Sequence, residues 1–247
     1  MSHREKDFFV GYLPMSPGLR RSTAVLAAVL CTIVLLAGVG WSMLHGDPGE
    51  SLEPIGDQPE IRGVFRARPY PHVVQATATG SSTLLLVGSG KGGARIGELD
   101  DGQGVRVSGT LLTRDGTRIV EGPDLAPAEL SPEIRDSLTV SGPEPRAVTL
   151  TGEIVDSKCY FGRMRPGGGR VHRACAQICI EGGVPPILVV RNADGQEQHV
   201  VLASEDGGPC NEDVLPFVAE PVRVRGTLHR VSGLDWLWID PADIERL

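Results

Sequence analysis

Apolar and polar positions divide the chain near residue 45. From Thr23 to Leu44 there is no charged side chain, and Val, Leu, Ile and Ala dominate. At about 1.5 Å of rise per residue, about 20 such residues span a bilayer core, so this run predicts a membrane helix over 22–45. It exceeds the roughly 7–15 residues of a secretory h-region, and no convincing small-x-small cleavage site follows it. We therefore read it as an uncleaved anchor, with Trp41 at the interface. After about residue 59 the pattern changes. Short β-branched runs are broken by Gly, Pro and Asp, and long helical periodicity is almost absent, which predicts small β barrels or sandwiches.

The β-rich part repeats itself. Val105-Arg-Val-Ser-Gly-Thr-Leu-Leu returns as Val222-Arg-Val-Arg-Gly-Thr-Leu-His, and Gly63-Val-Phe matches Gly152-Glu-Ile-Val. Thr83-Leu-Leu-Leu-Val pairs with Pro186-Ile-Leu-Val-Val as the middle strand of each copy. Arg114-Asp115-Gly116 and Val231-Ser232-Gly233 are tight-turn sequences following the matched strands. On this alignment the stretch from Gly152 to Leu188 is longer than its counterpart from Gly63 to Leu85. Leu188 to Gly226 exceeds Leu85 to Gly109 by the same amount. The second copy is thus expected to have gained two loop insertions of equal length. All the cysteines beyond the membrane run fall in them, so the first copy reads as scaffold.

Five-stranded units with a Val-x-Val-x-Gly strand resemble the OB-fold, a small Greek-key barrel, over most of residues 60–247. The expected fold is mainly β: an N-terminal transmembrane helix, then two tandem OB-like barrels, the second with a short Cys-bearing helix. The expected organisation is a cytoplasmic segment 1–21, an anchor 22–45, a linker 46–59, a first barrel 60–122, a linker 123–145 and a second barrel 146–247. Within the second linker, Ser131 and Pro132 fit the cap and first position of a short helix. The segment Asp7-Phe-Phe-Val-Gly-Tyr-Leu-Pro is apolar and aromatic, which suits the membrane interface.

Charge sets the orientation. Arg4, Lys6, Arg20 and Arg21 precede the apolar run, while Asp47, Glu50, Glu53, Asp57 and Glu60 follow it. The basic flank stays inside, which places the chain in the cytoplasmic membrane as a single-pass protein with its barrels outside the cytoplasm. The first 21 residues carry a net +2, which leaves −9 on the exported part of a chain whose total is −7. With that charge and only 4% aromatic residues, the barrels lack the basic groove and stacking platforms of a nucleic-acid binder.

The chemistry concentrates between residues 156 and 186. Val171 to Glu181 predicts a short helix ending at Gly182-Gly183, on which His172, Cys175 and Cys179 share one face. Cys159 lies upstream across a Gly-rich loop that can return it to that face. In an oxidising compartment, four free thiols would be unusual. Cys159, Cys175, Cys179 and Cys210 are therefore disulfide candidates, with Cys175–Cys179 disfavoured because one helical turn does not aim the two Cβ atoms at each other. Two schemes remain: Cys159–Cys175 with Cys179–Cys210, or Cys159–Cys179 with Cys175–Cys210. The alternative is a metal site of Cys159, His172, Cys175 and Cys179, a Cys₃His set suited to tetrahedral zinc or, through its thiolates, to cuprous copper. A catalytic dithiol is disfavoured because no Cys-x-x-Cys is present.

Asp156-x-x-Cys159, then His172-x-x-Cys175-Ala176-x-x-Cys179, then Gly183-x-Pro185, resembles a pattern of exported, membrane-anchored bacterial proteins. The resemblance groups the chain and carries no chemistry with it. No hydrolase, metalloprotease or P-loop signature occurs; Gly88-Ser-Gly-Lys-Gly-Gly follows a strand with no helix after it and reads as an inter-strand loop. His72, His199 and His229 have no partners visible in sequence. The expected role is non-enzymatic: an accessory or binding module working with other membrane or periplasmic proteins, its second barrel stapled by disulfides. Metal binding or thiol redox at the cluster is the competing class.

Overall fold

The computed structural model describes residues 15–44, 53–54, 61–77, 80–138 and 143–247. The aromatic segment at 7–14 and most of the linker at 46–59 lie outside them. Helix α1 (Pro17–Leu44) is long and apolar enough to cross a membrane, and belongs to a separate compact unit from residues 49–247.

That second unit holds two closed barrels. The first contains β2 (Ile61–Arg66), β3 (His72–Thr77), β4 (Gly80–Val87), β5 (Gly104–Arg114) and β6 (Thr117–Pro127), with the short β1 (Glu53–Pro54) added on β5. Helix α2 (Pro132–Ser137) follows, and the Ser131 hydroxyl accepts from the Ile134 amide at 3.4 Å, as an N-cap should. Strand β6 runs to Pro127, into the stretch expected to be linker. Beyond it Leu130 and Leu138 pack on Val64 and Val74 of the first barrel.

The second barrel contains β7 (Arg146–Asp156), β8 (Pro186–Arg191), β9 (Glu197–Ser204), β10 (Pro221–Val231) and β11 (Leu234–Ile239), with a short β12 (Ile244–Arg246) on β10. Helix α3 (Arg173–Glu181) lies between β7 and β8, and α4 (Asn211–Val214) between β9 and β10. In both barrels the first strand pairs with the second and fourth, and the third pairs in parallel with the fifth. This is the strand order of an OB-fold.

Register makes the two copies equivalent. Gly63 faces Val105 and Gly152 faces Val222, so Gly109 and Gly226 occupy the same position of β5 and β10. The turns also match: Asp115-Gly116 and Ser232-Gly233 both have positive φ at their two central residues, as a type I′ hairpin requires.

The middle strand is a correction. Register makes residues 186–190 the equivalent of β3, the second strand, whereas residues 83–87 belong to the third strand and are the equivalent of β9. The stretch from Gly152 to Val189 is more than three times as long as its equivalent from Gly63 to Val74. Leu84 to Gly109 and Val200 to Gly226, by contrast, are almost equal in length. The second copy has therefore gained a single large insertion, between its first two strands. The loop carrying Cys210 is scarcely longer than its counterpart.

Each barrel has its own core, built from Leu84, Leu86, Val105 and Val107 in one and Leu188, Val200, Leu202 and Val222 in the other. Their neighbours point outward and meet in a third core. Leu85, Val87, Leu112 and Ile119 of the first barrel pack with Ile187, Val189, Val201 and Trp236 of the second. At roughly 1.5–3 kcal/mol per fully buried large side chain, this seam is a substantial part of the fold. The hairpin tips are exchanged across it: Thr83 Oγ1 donates to the Ser232 carbonyl at 3.2 Å, and Thr117 Oγ1 lies 3.2 Å from His199 Nδ1.

Candidate functional site

The insertion begins where β7 ends. Asp156 is fully buried, and its Oδ1 accepts from the Cys159 amide at 2.8 Å, turning the chain into one π-helical turn, Cys159–Arg163. A loop returns through Gly169, whose amide donates to Glu153, and delivers His172 as the residue capping α3. His172 is buried, and its Nε2 lies 3.1 Å from the other oxygen of Asp156. One carboxylate thus orients both Cys159 and His172.

Helix α3 presents Cys175 and Cys179 to these two. The ligand atoms of Cys159, His172 and Cys175 all lie within 4.8 Å of one another, and those of Asp156, Cys159 and Cys179 meet the same limit. Cys159 and Cys179 are buried and Cys175 is half-buried. The Cys159 thiol donates to Cys179, and with burial and the Asp156 charge this raises Cys159 far above the ordinary thiol range. The same hydrogen bond, helped by Lys91 and Cys175 against the cost of burial, draws Cys179 down to about 7.

Cys210 is elsewhere. It belongs to the second barrel's own core, with its Sγ 3.8 Å from the Tyr70 hydroxyl and its amide donating to that oxygen at 3.0 Å. Burial pushes its thiol up to about 12. Among the described residues the cysteines are all free, and neither two-bridge scheme is formed. Both schemes needed Cys210 bonded to Cys175 or Cys179; it packs instead on Ala176 and Ile180, on another side of α3, with its sulfur at Tyr70.

The first barrel is not a bystander. Lys91, from the Gly-rich loop after β4, places Nζ 2.8 Å from Cys175 Sγ. The buried Lys158 reaches the other way, donating to the carbonyls of Gly88 (2.9 Å) and Gly90 and lying 3.5 Å from Glu121, which also pairs with Arg163. Backbones touch as well: the Gly93 amide donates to the Gly182 carbonyl at 2.8 Å. A Cβ on Gly182 would sit 2.1 Å from the Lys91 carbonyl, so the approach requires glycine there. Sequence reasoning missed Lys91, Lys158 and Glu121. The available signal was the density of glycines in 88–93, a common sign of close backbone approach.

No protein-family model, curated protein or solved structure matches the chain. The function must therefore be argued from the site.

Chemically, two triads share Cys159: it meets His172 and Cys175 on one side and Asp156 and Cys179 on the other, with the Lys91 ammonium at Cys175. Such a set can hold a thiophilic cation, or exchange two thiols for one disulfide. His72, Cys210 and His229 lie outside it. His199 packs edge-on against Phe161 at 4.9 Å and supports the insertion without joining the donors.

Proposed function

We propose that the chain is a metal-binding module carried on a single-pass membrane anchor. Its barrels lie outside the cytoplasm, where it serves as an accessory protein of a membrane-associated complex. The observation that carries the metal reading is the convergence of His172 with Cys159 and Cys175 over a shared carboxylate, Asp156. A staple has no use for a buried imidazole at the sulfurs. A metal site does, and a carboxylate hydrogen-bonded to a ligating histidine is the usual means of orienting it. Cys159, Cys175, Cys179 and His172 are the ligands we assign.

Charge favours zinc. Three thiolates and a neutral imidazole around a divalent ion leave one negative charge, and the Lys91 ammonium beside Cys175 offsets it. Cuprous copper would leave two. Full-length protein in detergent, purified reduced and loaded with Co²⁺ as a zinc probe, should take up one ion per chain and show sulfur-to-cobalt charge-transfer bands. Cys159→Ser and His172→Ala should each weaken them. Failure of the reduced protein to bind, or binding indifferent to both changes, overturns the proposal.

The anchored topology rests on α1 and on the basic residues preceding it. A C-terminal reporter active only in the cytoplasm would sink it. A second reading, reversible oxidation of Cys159 and Cys179 to a disulfide by exchange with a partner's disulfide, which is reduced to two thiols, is favoured by their thiol–thiol contact. Counting free thiols before and after reduction of protein isolated without reductant separates the two, because metal ligands count as thiols after chelation and a disulfide does not.

A further inference from the structure

The pseudo-symmetry of the barrels exposes a second site, independent of the metal reading. In each barrel the last hairpin turns its outer face toward the first inter-strand loop of the other. On the first barrel that face carries Leu112, Arg114, Ile119 and Glu121, and the insertion covers it. Arg114 stacks over the Tyr160 ring at 4.2 Å, Glu121 holds Arg163 and Lys158, and Leu112 and Ile119 share a core with Tyr160 and Phe161. The register equivalents on the second barrel are His229, Val231, Trp236 and Trp238. The loop facing them, between Arg66 and His72, has no insertion, and its aromatic residue Tyr70 turns inward to meet Cys210.

A cavity of about 220 Å³ remains where the opposite side holds two aromatic rings. Its walls are the equivalents just named together with Pro69, His72 and Val74, and Arg66 and Arg68 complete the lining, which contains no carboxylate. The surfaces suit a ring. His229 and Trp238 are already stacked, with centroids 4.1 Å apart and planes within 22°, and His72 lies 5.3 Å from Trp236. Arg66 is committed to Asp101 at 3.0 Å, and Arg68, whose charge acts on Asp206 at the rim, is the cation nearest a ligand's carboxylate. A sealed apolar cavity of about 150 Å³ takes up benzene, so this open one has room for one or two fused rings.

We propose that this cleft binds a small planar aromatic carboxylate. Its ring lies against Trp236 and Trp238, in the place Tyr160 and Phe161 fill on the other side, and its carboxylate faces Arg68. Aromatic contact supplies the attraction, and the guanidinium selects the anion.

Full-length protein in detergent is titrated with 2-naphthoate and followed by tryptophan fluorescence, with equilibrium dialysis as an independent measure. Saturable binding below about 1 mM is expected, weakened at least tenfold by His229→Ala with Trp238→Phe and about fivefold by Arg68→Gln. Neither change touches the metal ligands, so cobalt loading should stay at the wild-type level. Cyclohexanecarboxylate and 2-naphthylmethanol, which each lack one of the two recognised features, should bind at least fivefold more weakly. No saturation, equal binding of either control, or affinity unmoved by the substitutions overturns the proposal.

Discussion

The two barrels share a strand order, a register and a turn type, yet differ in what lies between their first two strands. In the first, Arg66 reaches His72 through a short loop. In the second, the same connection has grown into a long excursion that holds all the metal-ligand candidates. Every strand pairing that closes a barrel is kept. A small closed sheet tolerates a long insertion because loop-closure entropy grows only slowly with length, provided the added segment finds something to bury against. Here it finds the other barrel.

That comparison can be broken most severely at the shared glycines. A Cβ on Gly63 would fall 2.3 Å from the Val74 carbonyl oxygen, and one on Gly152 would fall 2.3 Å from that of Val189. Gly63→Ala and Gly152→Ala should each cost about 3 kcal/mol in chemical denaturation, and by similar amounts. A large cost at one and none at the other would end the equivalence of the copies.

Next in size is the feature found only in the second barrel. Asp156→Asn keeps an acceptor for the Cys159 amide but loses the charge behind His172, and should weaken zinc affinity ~10–100-fold in competition with a chelator. An unchanged affinity would mean that Asp156 supports the turn alone.

Lys91→Met tests whether the first barrel takes part in the chemistry. Because Lys91 is exposed, stability should hold while metal affinity falls several-fold. A variant equal to wild type in affinity would return the first barrel to the role of scaffold.

The smallest effect concerns pH. His72, equivalent in register to Ile187, is held below the usual imidazole value by burial, against the pull of the Tyr70 carbonyl. Its neutral form is favoured in the fold, so the unfolded chain binds more protons and stability rises with pH. The contribution is complete above about 6.5 and is lost as pH falls below that value. His72→Ile should flatten the acid side of the stability profile by at most about 1.4 kcal/mol per pH unit. His199, lowered by burial as well, should preserve part of the slope.

The sequence made the fourth strands and their hairpins readable, because Val105-x-Val107 and Val222-x-Val224 alternate between a barrel core and solvent. The second and third strands do not alternate. Leu84 and Leu86 fill a barrel core while Leu85 and Val87 fill the seam, and Leu188 and Val189 divide in the same way. With both faces buried, the two strand types become the same apolar run, so residues 186–190 match the third strand of the first barrel as well as the second. The helical face of His172, Cys175 and Cys179 could be read from spacing. The ammonium beside it could not, since Lys91 and Cys175 are 84 residues apart.

The hairpin exchange bears on the order in which the molecule is made. Thr83 waits for Ser232, 149 residues later, and Lys91 for Cys175. On a chain that emerges N-terminus first, the first barrel closes around its own core while its outer face is still bare. The cysteines then arrive as an unprotected loop, and only the final hairpin brings the seam together over them. Between those moments the thiols are open to any oxidant or stray metal in their surroundings.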